Sequence, residues 1–166
     1  MPAADRRGAV GALLARRRDA LLALAVAGTG VAAYLSWVAI NDQEGLVCTG
    51  VGDCHTVQSS EFAEIGGVPI AVLGLGMYVT LLALVVARRF WSRTADAGID
   101  RPMASATFGV ALSGALYSGY LTYLELFEIE AICAWCVTSA VIVTLITLLS
   151  VPDLRVAGGS GARPTV

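Results

Sequence analysis

Among the 166 residues, four cysteines and a single histidine are the side chains best suited to nucleophilic, redox or metal chemistry. Cys48 and Cys54 enclose five residues that include Gly50 and Gly52, and Cys133 and Cys136 form a C-A-W-C motif. C-x-x-C is a redox spacing, because a thiolate at a helix N-terminus is stabilised by the backbone amides that point at it. The second cysteine then sits one turn deeper. A pair so placed can exchange with a polar thiol on one side and meet a lipid-soluble molecule on the other. The Cys48/Cys54 pair has different demands, since exchange requires a thiolate to attack one sulfur while the other leaves. A glycine-containing loop supplies that mobility, so two dithiol pairs of unequal mobility read as an electron relay. Two structural disulfides also satisfy an even count, with three pairings open. A four-cysteine metal site, with or without His55, is disfavoured by a five-residue gap wider than the usual two to four of zinc knuckles. His55 reads as a polar loop residue. Glu125, Glu128 and Glu130 act against a thiolate at Cys133, because nearby acids raise a thiol pKa.

These residues need elements that hold them at a water–lipid boundary, and the composition supplies them. The chain is 57% apolar and 14% charged with a net charge of −2, and its mean hydropathy is +0.74. Soluble domains are about 45–50% apolar and about 25% charged, so a water-soluble globule, a disordered chain and a nucleic-acid binder are all disfavoured. Ala20–Ile40, Ile65–Ala87, Pro102–Leu124 and Ala131–Val151 carry no charge. Each is long enough to span about 30 Å of hydrocarbon at 1.5 Å per helical residue. The expected fold is an all-α integral membrane protein with four transmembrane helices. The first stretch exceeds a signal-peptide apolar region of about 7–15 residues, and Tyr34 and Trp37 stand where small residues would mark cleavage. It is read as retained.

All eleven basic residues are arginines. They occupy the N-terminal segment, the loop between the second and third spans, and the tail; residues 41–64 and 125–130 hold none. The positive-inside rule therefore places both termini in the cytoplasm and all four cysteines outside a cell membrane. Trp37 and Trp91 suit interfacial anchors. The chain divides into a basic cytoplasmic segment (1–19), the membrane domain (20–151) and a disordered tail (152–166).

The loop 125–130 is just long enough to reverse direction, and Gly98 with Pro102 suits a turn and a helix start. The 24 residues of the loop 41–64 exceed what a reversal needs. Ser59-Ser60-Glu61-Phe62-Ala63-Glu64 reads there as a short helix on the membrane surface, capped by Ser60. Small residues inside the spans, among them Gly28, Gly30, Gly74, Gly76, Gly109, Gly114 and Gly119, suit close helix packing rather than a ligand site. No acidic or basic residue lies inside the four stretches, which disfavours pumps and channels.

The order of these parts resembles the vitamin K epoxide reductase family, in its bacterial disulfide-forming branch without a fused thioredoxin domain. The likeness covers about Ala20 to Val151 and rests on named residues. These are Cys48-x5-Cys54, Ser59-Ser60, Gly74-x3-Tyr78, and Tyr120-Leu121 ahead of Cys133-Ala-Trp-Cys136. DsbB-type enzymes also use four helices and two cysteine pairs, but their C-x-x-C comes in the first outer loop. The resemblance implies a four-helix bundle around a quinone, capped by the outer loop and its horizontal helix. It implies that Cys136 reduces the quinone, that Cys133 resolves it, and that Cys48 and Cys54 form the shuttle pair, with Cys54 exchanging with Cys133. A separate extracytoplasmic thioredoxin-like protein of DsbA type would supply the electrons, and no metal is required. Ser60, Ala63, Trp135 and Ala140 are the expected quinone contacts. Animal members place an Asn near Ala63 and a Tyr at Ala140; alanine offers no side-chain donor, which favours simple quinone reduction over epoxide reduction. The all-Arg, Ala-rich composition suggests a GC-rich source and favours menaquinone over ubiquinone. The readings that remain beside this one are a DsbB-like enzyme of different helix order and a non-enzymatic membrane scaffold with two structural disulfides.

Overall fold

The computed structural model describes residues 3–41, 46–48, 53–91 and 97–159, with side chains over 11–41, 46–48, 53–90 and 102–153. Gly50, Gly52 and residues 160–166 of the expected tail lie outside the described residues, and Trp91 outside the described side chains. Four long helices dominate: α1 (Ala3–Ile40), α3 (Ile70–Trp91), α4 (Ala97–Phe127) and α5 (Ala134–Gly159). Between α1 and α3 lie a five-residue helix α2 (Cys54–Gln58), a single 3-10 turn (Glu61–Ala63) and a small antiparallel pair, β1 (Glu64–Ile65) and β2 (Val68–Pro69).

Hydroxyl side chains inside the helices return their hydrogen bonds to their own backbone. Ser36 donates to Ala32, Thr107 to Met103, Thr147 to Val143 and Ser150 to Ile146, at 2.7–2.8 Å. All four are buried, so the i−4 bond lets a polar group stand among apolar ones without an unmet donor. Gly11–Ile40, Ile70–Phe90 and Ala134–Asp153 are long and apolar enough to cross a membrane. Serine, threonine and glycine make α4 less apolar than those three.

Several expected boundaries move. The second helix begins at Ile70 rather than Ile65, because Gly66 and Gly67 turn the chain with φ of +59° and +80° and pair β1 with β2. Positive φ is a conformation glycine adopts without steric penalty. Gly98 and Pro102 are both inside α4, which starts at Ala97. A proline this near a helix end leaves one carbonyl without its intrahelical donor, and solvent can take its place. Of the helix expected at 59–64 a single 3-10 turn forms, Glu61–Ala63, with Ser60 at its N-cap position; the α-helix of this loop, α2, precedes it and is capped by Asp53, whose side chain accepts from the Thr56 amide at 3.1 Å. Ser60 makes no capping bond and donates to the Val57 carbonyl at 2.8 Å. The fourth helix starts at Ala134, three residues later than expected, and continues through Pro152 to Gly159, so residues 152–159 are helical.

Two apolar clusters form the interior. One lies at mid-bundle around Tyr78, Leu81, Ala111, Val143 and Ile146. The other joins Leu35, Val38 and Leu46 to Cys54, Val57 and Cys133. Helix α1 packs mainly on α3 and α5, and α4 mainly on α5. Tyr78, fully buried, crosses the interior and donates its hydroxyl to the Ser139 carbonyl at 2.8 Å. It fits because Gly28 leaves room: a Cβ there would overlap the tyrosine ring. Gly114 makes the same allowance for Met77, whereas Gly30, Gly74, Gly76, Gly109 and Gly119 have open space beside them. At the opposite end from the cysteines, Arg17 of α1 and Arg88 of α3 both donate to Asp153 of α5, the latter at 2.7 Å. Arg89 pairs with Asp19 at 2.5 Å.

Gly28→Val should therefore destabilise the protein by about 1–3 kcal/mol through overpacking against Tyr78. Gly30→Val, next to open space, should change little; thermal unfolding in detergent measures both.

Candidate active site

The four cysteines converge at one end of the bundle. Cys133 immediately precedes α5 and stands in its N-cap position, where its Sγ accepts the Cys136 amide at 3.3 Å. Cys136 lies on the first turn of the helix. Cys48 and Cys54 form a disulfide, while Cys133 and Cys136 are free thiols. Among the described residues, no group of three His, Cys, Asp or Glu side chains could hold a metal ion.

A backbone bond brings the two pairs together. The Asp53 amide donates to the Ile132 carbonyl at 3.1 Å, and the residues that follow, Cys54 and Cys133, belong to one buried cluster. Each is at most 1% exposed. Cys48 and Cys136 pack against the same cluster from its edge. The 46–48 segment is tied down separately. Tyr34 accepts the Val47 amide at 2.9 Å, and the Trp135 indole donates to the Val47 carbonyl at 2.9 Å. The two rings pack with centroids 5.0 Å apart.

Electrostatics favour the outer thiol. Hydrogen bonding from Cys136, first its side chain and then its amide, holds the Cys133 thiol below its ordinary range. Burial and the charge of Glu125 oppose this and lose. Of the three acids expected to disfavour a thiolate, Glu128 and Glu130 are exposed. Glu125 is 3% exposed and accepts the Cys133 amide at 2.9 Å. It stands one residue beyond the expected third span, and burial pushes its carboxyl above the ordinary 4.5.

A cavity of about 380 Å³ opens beside Cys136. Its walls are mainly apolar, from Leu35, Ile70, Leu73, Met77 and Leu121. Ser60 and Ala63 of the expected contacts line it; Trp135 and Ala140 do not. Trp135 is held toward Val47 instead, and Ala140 is followed around α5 from a wall formed by its neighbour Ser139. Ser139, Gln58, Tyr117, Ser118 and Thr122 are polar wall residues that sequence reasoning did not assign to the site, and Glu125, read there only as opposing a thiolate, is another. The spacing signal for three of them was present: Ser139 is one turn after Cys136 on α5, and Ser118 and Thr122 are i and i+4 on α4. Such a cavity, apolar with a few polar groups and a thiol at its edge, suits a flat, largely hydrophobic molecule with polar oxygens.

Residues 20–151 match the vitamin K epoxide reductase family. The chain is also similar to the thiol-disulfide oxidoreductase LTO1 of Arabidopsis thaliana, at 29% identity over 93 residues. That alignment covers 55% of this chain and 24% of the plant protein, so the likeness concerns one part of a longer relative.

The position of Glu125 generates a pH dependence. Its folded carboxyl binds a proton more tightly than the unfolded one, so its contribution to stability is full below 4.5 and is lost as pH rises through the raised folded value. Thermal unfolding across this range should show stability falling with pH in the parent, and a smaller slope in Glu125→Gln.

Proposed function

The chain belongs to the vitamin K epoxide reductase family over residues 20–151, and we propose that it is a membrane thiol–disulfide oxidoreductase that passes electrons from an extracytoplasmic thiol to a quinone. The observation that supports this reading is the junction of Asp53 with Ile132, next to which Cys54 and Cys133 share one buried cluster while Cys136 borders the cavity.

The steps follow from those positions. A reduced thioredoxin-like protein of DsbA type exchanges with the Cys48–Cys54 disulfide, reducing it and leaving as a disulfide itself. Cys54, as thiolate, attacks Cys133 of an oxidised Cys133–Cys136 pair, and Cys136 leaves as thiolate. Cys48 then attacks Cys54, which reforms the loop disulfide and frees Cys133. The result is an oxidised loop pair beside two free thiols, the arrangement seen here. Cys133 and Cys136 then form a disulfide as two electrons pass to a quinone in the cavity. The net change is two partner thiols to one disulfide and one quinone to one quinol, so atoms and electrons balance.

The quinone is a co-substrate from the lipid phase, with menaquinone placed before ubiquinone on composition. Ser60, Ser118, Thr122 and Ser139 offer polar atoms in an otherwise apolar wall, and the alanines at 63 and 140 offer none, in keeping with simple quinone reduction. In this reading all four long helices cross a cell membrane, the Arg-rich end faces the cytoplasm, and the cysteines face outward.

Purified protein with dithiothreitol and a short-chain menaquinone should deplete quinone absorbance. Cys136→Ser should reduce this to background, whereas Cys48→Ser should retain it, because a small thiol can reach Cys133 and Cys136 without the shuttle. With a DsbA-type thiol as reductant both variants should fail. Equal loss of the dithiothreitol reaction in both would contradict the division of roles.

A further inference from the structure

Glu125 is the charged residue of the cavity wall, and the thiol steps above leave it unused. It stands on the last turn of α4, and its Oε2 is occupied by the Cys133 amide at 2.9 Å. The carboxyl borders the cavity together with Cys136. It therefore binds the backbone of one active-site cysteine and shares the cavity wall with the other. Among the described residues no basic side chain lines the cavity: α1 and α3 present apolar residues there, and residues 57–65 present Gln58 and Ser60 but no titratable group. Tyr117 is the other titratable wall residue besides the cysteine. A buried carboxylate without a cation is costly, and an amide acceptor for Cys133 could be supplied by an uncharged side chain. What glutamate adds at this place is a proton that can be taken up and released.

We propose that Glu125 is a catalytic residue that carries the Cys136 proton to the quinone. This rests on the quinone reading above. The carboxylate takes the proton from the Cys136 thiol as that sulfur gives up its electrons, and returns it to a quinone oxygen across the same cavity. Two S–H bonds break and one S–S bond forms, while two electrons and two protons reach the quinone to make the quinol. One of those protons travels through Glu125, which ends as it began. The other equals the proton released by Cys133 and is drawn from the aqueous side. The bond to the Cys133 amide holds the carboxyl at the wall of the cavity that Cys136 also lines.

Glu125→Gln tests the proton against the position. Gln keeps an oxygen for the Cys133 amide and cannot shuttle a proton. General acid–base catalysis contributes about 10²–10⁴-fold, so the variant should reduce quinone at least about 100-fold more slowly. Dithiothreitol should still reduce its Cys133–Cys136 disulfide, with a change in rate far smaller than that of the quinone step, as followed by alkylation and mass spectrometry. Glu125→Asp should recover part of the quinone rate. On the unaltered protein, quinone reduction but not thiol exchange should slow in D2O, which makes the test independent of variant folding. A near-parental quinone rate in Glu125→Gln, an equal loss in both steps, or no solvent isotope effect would overturn the assignment. Absence of quinone reduction in the unaltered protein would overturn the quinone reading and, with it, this role.

Discussion

The hydrogen bond from the Asp53 amide to the Ile132 carbonyl is the contact on which the remaining features depend. It joins two chain segments that approach from different helices, one after α1 and one before α5. Neither segment has its own regular structure long enough to fix a cysteine. Asp53 caps α2 through Thr56, so Cys54 opens a turn of helix whose orientation is set at its first residue. On the other side, the Ala131 amide returns to the Glu125 carbonyl and the Cys133 amide to the Glu125 carboxylate. One glutamate thus holds the reversal by its main chain and aims the thiol by its side chain. The Tyr34–Val47–Trp135 bonds then restrain the far end of the same loop.

Behind this junction the bundle serves as a rigid mount. Tyr78 spans from the space left by Gly28 to the Ser139 carbonyl, one turn below Cys136, so α1 and α3 together set the position of the inner thiol. At the far end, Asp153 receives Arg17 and Arg88 and ties the same three helices. The small net charge thus conceals a molecule with paired charges at one end and thiol chemistry at the other. The space between is apolar, apart from hydroxyls that bond back to their own helices and the Tyr78 hydroxyl, which bonds across to α5.

The periodicity of charge-free stretches made the long helices legible, because burying an uncharged helix in lipid needs little beyond length and apolarity. The C-x-x-C spacing and its place at a helix start made Cys133 and Cys136 legible for the same reason: local geometry suffices. The cap at Asp53 was missed in favour of Ser60, since both types cap and the choice was made by the tertiary bond to Ile132. The cavity wall was the least legible part. Ser139, which lines the cavity, and Ala140, which was expected to, are neighbours on α5, and only the packing of that helix against α4 and the loop decides which faces inward. Glu125 read as an obstacle to a thiolate, yet its carboxylate binds the Cys133 amide, and hydrogen bonding from Cys136 outweighs its charge.

The central claim is that electrons pass between Cys54 and Cys133, and it has a direct chemical signature. With Cys48 and Cys136 both changed to serine, the two remaining thiols are the ones the junction places together. Mild oxidation of that variant in membranes, followed by proteolysis and mass spectrometry, should yield one peptide pair joined by a Cys54–Cys133 disulfide. Recovery of both cysteines as free thiols, or joined only between separate molecules, would contradict the account.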